Sequence, residues 1–306
     1  MTGQPATGQP LTGQVVLVTG ASTGFGRLTA EAFAAHGAIV FAGLREATTR
    51  NHGIARELSA AAQQAGRDLR VVDLDVTRDA STASAVAEIV AQAGRLDVVV
   101  NNAGVMAAGL DEAFAIEQWN AVLDVNLYGV QRMFRAALPT MRAQGAGLFV
   151  TVSSSMAQIT LPFAGLYTAS KRAVEGLVES YRYQLAPLGI DSVIVEPGGY
   201  PTALFAKMIG PADVARLDAY GPLAELPHRV FGGFAASLQG PDAPDPREVA
   251  DAIVALASTP RGARPLRTSV DRFTREGLET LAAAAAGVQR AVFDGFGLSD
   301  LLGPKA

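Results

Sequence analysis

From Gln14 to Val195 the sequence alternates short, largely apolar runs with helix-length amphipathic stretches. Val15–Val18, Ala38–Ala42, Leu69–Leu74, Leu96–Val100, Leu148–Val152 and Asp191–Val195 are the runs. A strand with one wet face alternates polar and apolar residues. A strand covered on both faces reads as a continuous apolar run. Between the runs, apolar residues recur at helical spacing: Phe25, Leu28, Ala32 and Phe33, then stretches around 51–65, 80–93, 112–142 and 164–188. Strict alternation of this kind predicts right-handed crossovers and one parallel sheet, an α/β doubly wound fold in three layers. After Val195 the rhythm breaks. Residues 199–246 are rich in Pro, Gly, Ala and Leu and carry no strand pattern, which suggests a substrate-lid insertion after the sixth strand. A helix over 247–258, an edge strand over 265–270 and a helix over 278–288 follow. The five-alanine run in that last helix suggests close packing on a neighbour. Residues 1–13 repeat TGQ with Pro and no charge and read as a flexible tail; residues 14–306 read as a single domain.

The first apolar run leads into Thr19-Gly20-Ala21-Ser22-Thr23-Gly24-Phe25-Gly26 and then a helix. Strand, glycine-rich turn and helix start together make a phosphate site. Glycine lets the backbone approach a pyrophosphate, and the unpaired N–H groups of the helix start favour negative charge. The spacing is G-x3-G-x-G rather than the usual G-x-G-x-x-G. Nineteen residues past Gly26, Arg45 ends the second strand, where an acid would bind a ribose 2′-hydroxyl and an Arg can hold a 2′-phosphate. This favours NADP(H), with NAD(H) as the alternative if Arg45 is only a surface residue. Asp75, followed by Val76, either accepts from an adenine amino group or caps the next helix. Asn101-Asn102-Ala103-Gly104 closes the fourth strand, on the rim where ligands bind in open α/β sheets.

Tyr167 and Lys171 lie four residues apart on a predicted helix and share a face. An ammonium beside a phenol stabilises the phenolate and is expected to bring Tyr167 closer to working pH as a proton donor or acceptor. Ser154, at the end of the fifth strand, can hold a substrate oxygen. Asn126, in the long fourth helix, can support a water relay to Lys171. Each signal alone has a plain reading: packing for the tyrosine, a polar strand end for the serine, a bent helix for the asparagine. Their order along the chain is what joins them.

With these motifs in place the chain resembles the short-chain dehydrogenase/reductase family, in the subset with TGxxxGxG, NNAG and YxxxK motifs, over about residues 14–270. The resemblance implies a Rossmann-like fold, a nicotinamide dinucleotide and a catalytic tetrad of Asn126, Ser154, Tyr167 and Lys171. It makes Tyr167 the acid/base and Ser154 the group that orients the carbonyl. Lys171 binds the nicotinamide ribose and tunes Tyr167, while Asn126 anchors a relay water. Gly20, Ser22, Thr23, Gly24, Phe25 and Gly26 match the pyrophosphate turn, Asp75 and Val76 the adenine contacts, and Asn102, Ala103 and Gly104 the NNAG motif. Pro197-Gly198-Gly199-Tyr200-Pro201-Thr202 matches a PGxxxT segment that holds the carboxamide through the backbone at Tyr200 and the hydroxyl of Thr202. Phe25 in place of Ile or Leu, and Ala157 in place of Gly, depart from the pattern without removing a chemical group. The resemblance also implies a homodimer or homotetramer, through the helix that carries Tyr167 and the one before it; Ala169, Ala173 and Gly176 give the former a small-residue stripe.

Composition narrows the rest. Net charge is −4 and no basic tract occurs, so nucleic acid and anionic membranes are poor partners. There is no cysteine, and His36, His52 and His228 have no metal-ligand spacing, so no metal is expected. No apolar run suits a membrane span, and no basic residue precedes Arg27, which argues against a signal or transit peptide and for a cytoplasmic protein. No G-x-S-x-G elbow supports a hydrolase. Trp119 reads as packing. The expected function is an NADP-dependent oxidoreductase acting on a small-molecule carbonyl or alcohol. Tyr200, Leu204, Phe205, Met208, Ile209, Leu217, Tyr220, Leu223, Phe231 and Phe234 suggest a mobile apolar lid and a bulky hydrophobic substrate. The alternative is an NADP(H)-binding sensor or scaffold without turnover; an isomerase or dehydratase of related fold is weaker, since such relatives usually carry a different glycine spacing.

Overall fold

The computed structural model describes residues 10–302. Seven strands, β1 (Val15–Thr19), β2 (Ile39–Leu44), β3 (Leu69–Asp73), β4 (Val98–Asn101), β5 (Gly147–Val152), β6 (Ile190–Pro197) and β7 (Arg267–Val270), form one sheet in the order β3-β2-β1-β4-β5-β6-β7. Every pairing is parallel. The helices are α1 (Gly24–Ala35), α2 (His52–Gln64), α3 (Asp79–Ala93), α4 (Ile116–Leu123), α5 (Gly129–Gln144), α6 (Gly165–Leu185), α7 (Ala203–Ala206), α8 (Val214–Ala219), α9 (Leu226–Ser237), α10 (Arg247–Ser258) and α11 (Arg275–Phe296).

The apolar runs have the expected cause. Along β1, Val16 and Val18 join a core with Phe33 of α1, Leu58 of α2 and Ile253 of α10. Val15 and Leu17 join a second core with Ile89 of α3, Phe134 of α5 and Val178 of α6. Successive side chains alternate faces, so a strand covered on both sides places apolar residues on both, and the polar groups it keeps, such as Asp191 and Glu196 of β6, are buried with partners. The result is the expected three-layer Rossmann-like sandwich. The strand order reverses between β1 and β4, and the crevice at such a reversal is where these sheets take ligands.

Four expectations change in detail. The stretch 112–142 is not one helix: Phe114 and Ala115 are extended, and α4 begins only after them, with the Gln118 side chain accepting from the Ala115 N–H at 3.1 Å. Phe114 is buried there, and placing it breaks the helix. Between α4 and α5, Asp124–Tyr128 forms a π turn. The expected tail ends earlier than residue 13, because Leu11 is buried and the Gly13 N–H bonds the Gly37 carbonyl at 3.0 Å; residues 1–9 lie outside the described part. Helix α11 is longer than expected, and its alanine run is largely exposed rather than packed on a neighbour; only Leu278 and Phe293 of this helix are buried. The region 199–246 holds α7, α8, a 3₁₀ turn at Gly221–Glu225 and α9. It is clipped to the loop after β4 by a bridge at Ala107 and Ile209, with the Ile209 N–H on the Met106 carbonyl and the Ala108 N–H on the Ile209 carbonyl. Among the described residues no helix is long and apolar enough to cross a membrane.

Candidate active site

The glycine turn after β1 is built against the end of β4. Thr19 Oγ1 accepts from the N–H groups of both Asn102 and Ala103 at 3.0 Å. Asn102 Nδ2 donates back to the Thr19 carbonyl at 2.9 Å and the Gly20 carbonyl at 3.2 Å. Gly20 has φ +64°, and a Cβ there would lie 2.8 Å from the Ala103 Cα. A Cβ on Gly26 would overlap the Asn102 side chain and the Gly20 carbonyl. The turn can therefore close only if both positions are glycine. Thr23 precedes α1 without capping it through its side chain, so its hydroxyl satisfies none of the first N–H groups of the helix. A cradle tight enough to exclude a methyl group, facing bare helix N–H groups, fits a pyrophosphate. Ser22 is half-buried in the turn and Thr23 is exposed.

The other cofactor candidates surround this turn unevenly. A Cβ on Gly24 would sit 3.6 Å from Thr202 Cβ, so the segment after β6 reaches the cradle. Thr202 Oγ1 also caps α7 through the Leu204 N–H at 3.4 Å. Gly198 donates its N–H to the Val270 carbonyl, and Pro197 ends β6. The Tyr200 side chain turns inward: its ring meets Phe25 edge-on at 5.5 Å and its hydroxyl donates to Glu248 at 2.9 Å. That leaves only the backbone of Tyr200 for a ligand. Arg45 is exposed immediately after β2, and its guanidinium makes no hydrogen bond or ion pair among the described residues; Glu46, also exposed, follows at φ 54°. Asp75 lies two residues beyond β3. One of its oxygens, Oδ1, accepts from the Thr77 N–H and hydroxyl at 3.0 and 2.7 Å, so part of this carboxylate shapes the local turn. Val76 is buried against Gly129.

Tyr167, Lys171, Ser154 and Asn126 are all buried. Asp111 sets the start of α6: its carboxylate accepts from the Leu166 N–H at 3.3 Å, and it fills the space beside Gly165 that any side chain would need. One turn into the helix, Lys171 Nζ donates to the Val152 carbonyl at 2.9 Å and lies 5.8 Å from the centre of the Tyr167 ring. Ser154 caps the turn after β5, accepting from the Met156 N–H at 3.2 Å. Gly104 brings the NNAG backbone to both Asn126 and Lys171: a Cβ there would be 3.4 Å from Asn126 Oδ1 and 3.7 Å from Lys171 Nζ.

Two details depart from expectation. Burial pushes the Tyr167 phenol up, to about 12, with the Ser154 hydroxyl acting in the opposite direction. The expected lowering by Lys171 is not found: desolvation sets the direction, and the opposing influence is Ser154. Burial likewise brings Lys171 down to about 8, opposed by the charge of Glu175. Secondly, the Asn126 amide has both its N–H donors engaged: it exchanges hydrogen bonds with the Val105 backbone at 2.9 Å in both directions and donates to Ser170 Oγ at 3.0 Å. It braces the loop after β4 and ties it to α6. Thr19 and Ser170 also build the site, although nothing but their places inside the glycine and YxxxK motifs marks them in the sequence.

Apolar groups close around Tyr167. Met106, Ala108, Ala164 and Phe231 are buried with it, and Met156, Phe163, Leu204, Phe205 and Met208 pack against them. Leu204, Phe205, Met208 and Phe231 were expected in such a wall. Leu223 and Tyr220 are exposed, the latter donating to Glu112 at 2.7 Å.

Comparison with known proteins agrees with this geometry. A profile of the short chain dehydrogenase family matches residues 14–210. The chain is 35% identical over 189 residues to 3-ketodihydrosphingosine reductase of Bacteroides thetaiotaomicron, covering 62% of this chain and 65% of that protein. The chain thus spans slightly under two thirds of that relative. It is 35% identical over 254 residues to 17-beta-hydroxysteroid dehydrogenase type 1 of Homo sapiens, covering 81% and 75%. A short-chain dehydrogenase structure from Streptomyces avermitilis superposes with a TM-score of 0.73 at 28% identity, covering 93% of this chain and 97% of that one. An alcohol dehydrogenase from Thermococcus sibiricus, complexed with 5-hydroxy-NADP, superposes with a TM-score of 0.66 at 25% identity, covering 84% and 95%. A glycine cradle joined to the fourth strand, a buried tyrosine–lysine pair and these matches lead to one conclusion: the chain belongs to the short-chain dehydrogenase/reductase family of oxidoreductases.

Proposed function

We propose that the protein is an NADP(H)-dependent oxidoreductase that interconverts a carbonyl and an alcohol on a bulky, apolar small molecule. The observation that carries this reading is the burial of Tyr167, Lys171 and Ser154 together at the sheet rim, in a chain whose glycine cradle fits a dinucleotide. When bound, the nicotinamide supplies or accepts the hydride. Tyr167 Oη gives a proton to the carbonyl oxygen in reduction and takes it back in oxidation. A phenol that stays protonated to about 12 is suited to the donor role. Ser154 Oγ orients the same oxygen. Lys171 is mostly ionised at neutral pH, and its positive charge lowers the cost of the phenolate left behind. Asn126 holds Val105 and the NNAG loop and anchors a relay water there.

Arg45 supports the NADP(H) preference, since an exposed, unshared guanidinium at the end of β2 can pair with a 2′-phosphate. The apolar wall around Tyr167 supports a hydrophobic substrate, as do relatives named for a sphingosine ketone and a steroid. The exposed Ala173 and Gly176 on α6 support assembly into a homodimer or homotetramer through that helix and α5. A chain without cysteine suits a reducing cytoplasm.

The test is NADPH oxidation with apolar ketones, aldehydes and quinones, for the wild type and Tyr167→Phe. Removing the acid/base should cost roughly a hundred- to ten-thousandfold in kcat, with NADPH affinity unchanged. NADPH binding without turnover of any of these compounds would favour the sensor reading. Equal loss of binding and turnover in Tyr167→Phe would make the tyrosine structural.

A further inference from the structure

Beneath the proposed site lies a buried acidic network that the chemistry above does not use. Glu175 stands one helical turn beyond Lys171 on α6, and Glu196 sits on β6 with no solvent exposure. Ser153 Oγ donates to Glu175 Oε1 at 2.6 Å, and Gln158 Nε2 donates to Glu196 Oε1 at 2.6 Å. Ser153 and Gln158 flank the turn that presents Ser154. Arg267 of β7 lies between the two acids, its Nε 3.2 Å from Glu175 Oε2 and 3.6 Å from Glu196 Oε1, while its Nη2 donates to Glu179 at 2.9 Å. Ser269 Oγ donates to Glu196 Oε2 at 2.8 Å.

For stability alone this arrangement is wasteful. Three carboxylates share one guanidinium, and buried ion pairs seldom outperform apolar packing of the same volume. Its members instead lead to the site. We propose that Glu175 is a positioning residue: it fixes Ser153, and so the strand end that presents Ser154, and it supplies the negative charge one turn from Lys171. The groups facing it are Lys171 and Glu179 on α6, Ser153 at the end of β5, Glu196 on β6 and Arg267 on β7. Burial and the neighbouring Glu196 hold the Glu175 carboxyl well above the usual carboxylate range, while Ser153 and Arg267 pull it down.

The inference rests on the assignment of Ser154, Tyr167 and Lys171 above. Its test is Glu175→Gln, with Ser153→Ala as the milder change should the first fail to fold. Both are assayed with NADPH and the best carbonyl substrate found, beside Tyr167→Phe. A mislaid first-contact group costs up to about a hundredfold in rate. We expect kcat to fall between about tenfold and about a hundredfold in both variants, with the KM for NADPH unchanged. In Glu175→Gln the Lys171 ammonium loses its carboxylate, so the alkaline limb of kcat moves to lower pH. A purely structural residue would lower the melting temperature and leave kcat and the limb where they are; that result would overturn the proposal. If Tyr167→Phe retains full activity, or the wild type turns over no carbonyl, the underlying assignment falls and this one with it. If Tyr167→Phe is dead and both other variants are normal, only the role of Glu175 falls.

Discussion

Replacing Lys171 by Met should make the cofactor-free protein more stable while abolishing its activity. The ammonium titrates at about 8 in the folded chain against 10.5 in water, because burial penalises its charge. Holding it ionised at neutral pH therefore costs the fold about 3 kcal/mol. Methionine keeps the length and apolar stem of lysine and removes the charge. Against this gain stands the lost hydrogen bond to the Val152 carbonyl, about 1 kcal/mol. The balance is a stabilisation of about 2 kcal/mol, or a rise of about 3 °C in Tm for a chain of this size. The pH dependence checks the cause. The folded state binds its lysine proton less tightly than the unfolded state. The unfolded chain therefore holds more protons between about 8 and 10.5, and wild-type stability rises with pH across that window. The advantage of Lys171→Met should shrink over the same window. The raised Tyr167 value destabilises the fold only at still higher pH, outside the range of the measurement. Thermal melts of both proteins from about pH 7 to about pH 10 read this directly. A variant less stable at neutral pH, or a Tm gap independent of pH, would refute the reasoning.

Two further outcomes are expected. Arg45→Asp should shift cofactor preference toward NAD(H), measured as the ratio of kcat/KM values for NADPH and NADH; an unchanged ratio would remove Arg45 as the phosphate reader. Gly26→Ala should push the Asn102 amide off the Thr19 and Gly20 carbonyls, costing about 2 kcal/mol of stability for the two bonds and more in NADPH affinity. Calorimetric titration and a melt of the same sample would reveal it, and near-normal NADPH binding would mean that the cradle is not where the dinucleotide lies.

The frame of this molecule was legible because each strand carries its own mark: Val15–Val18 and the runs like it are largely apolar since both sheet faces are covered. The glycine turn was legible for a similar reason, since only glycine satisfies Gly20 and Gly26. What escaped was set by neighbours distant in sequence. The helical pattern runs on through Phe114, and only its burial among Ala107, Val122 and Leu166 shows why the chain must break there. Spacing puts Lys171 beside Tyr167, yet the balance between its charge and desolvation depends on burial that no spacing reveals. Glu175 looks from the sequence like a solvated helix charge. Its partners Ser153, Glu196 and Arg267 come from three different strands or strand ends.

The π turn at Asp124–Tyr128 gives the stretch from α4 to α5 one residue more than a regular helix would need. That surplus works as a phase shifter. It lets Val122 reach the cluster around Leu166 while Met133 and Phe134, further along, still face the sheet. Deleting any one residue between 124 and 128 would allow an uninterrupted α-ladder, yet would turn one half against the other by about 100°. Either Val122 or the pair Met133 and Phe134 would then swing toward water, and the amide of Asn126 would leave Val105. A shortened chain can have a better helix or two seated faces, but not both.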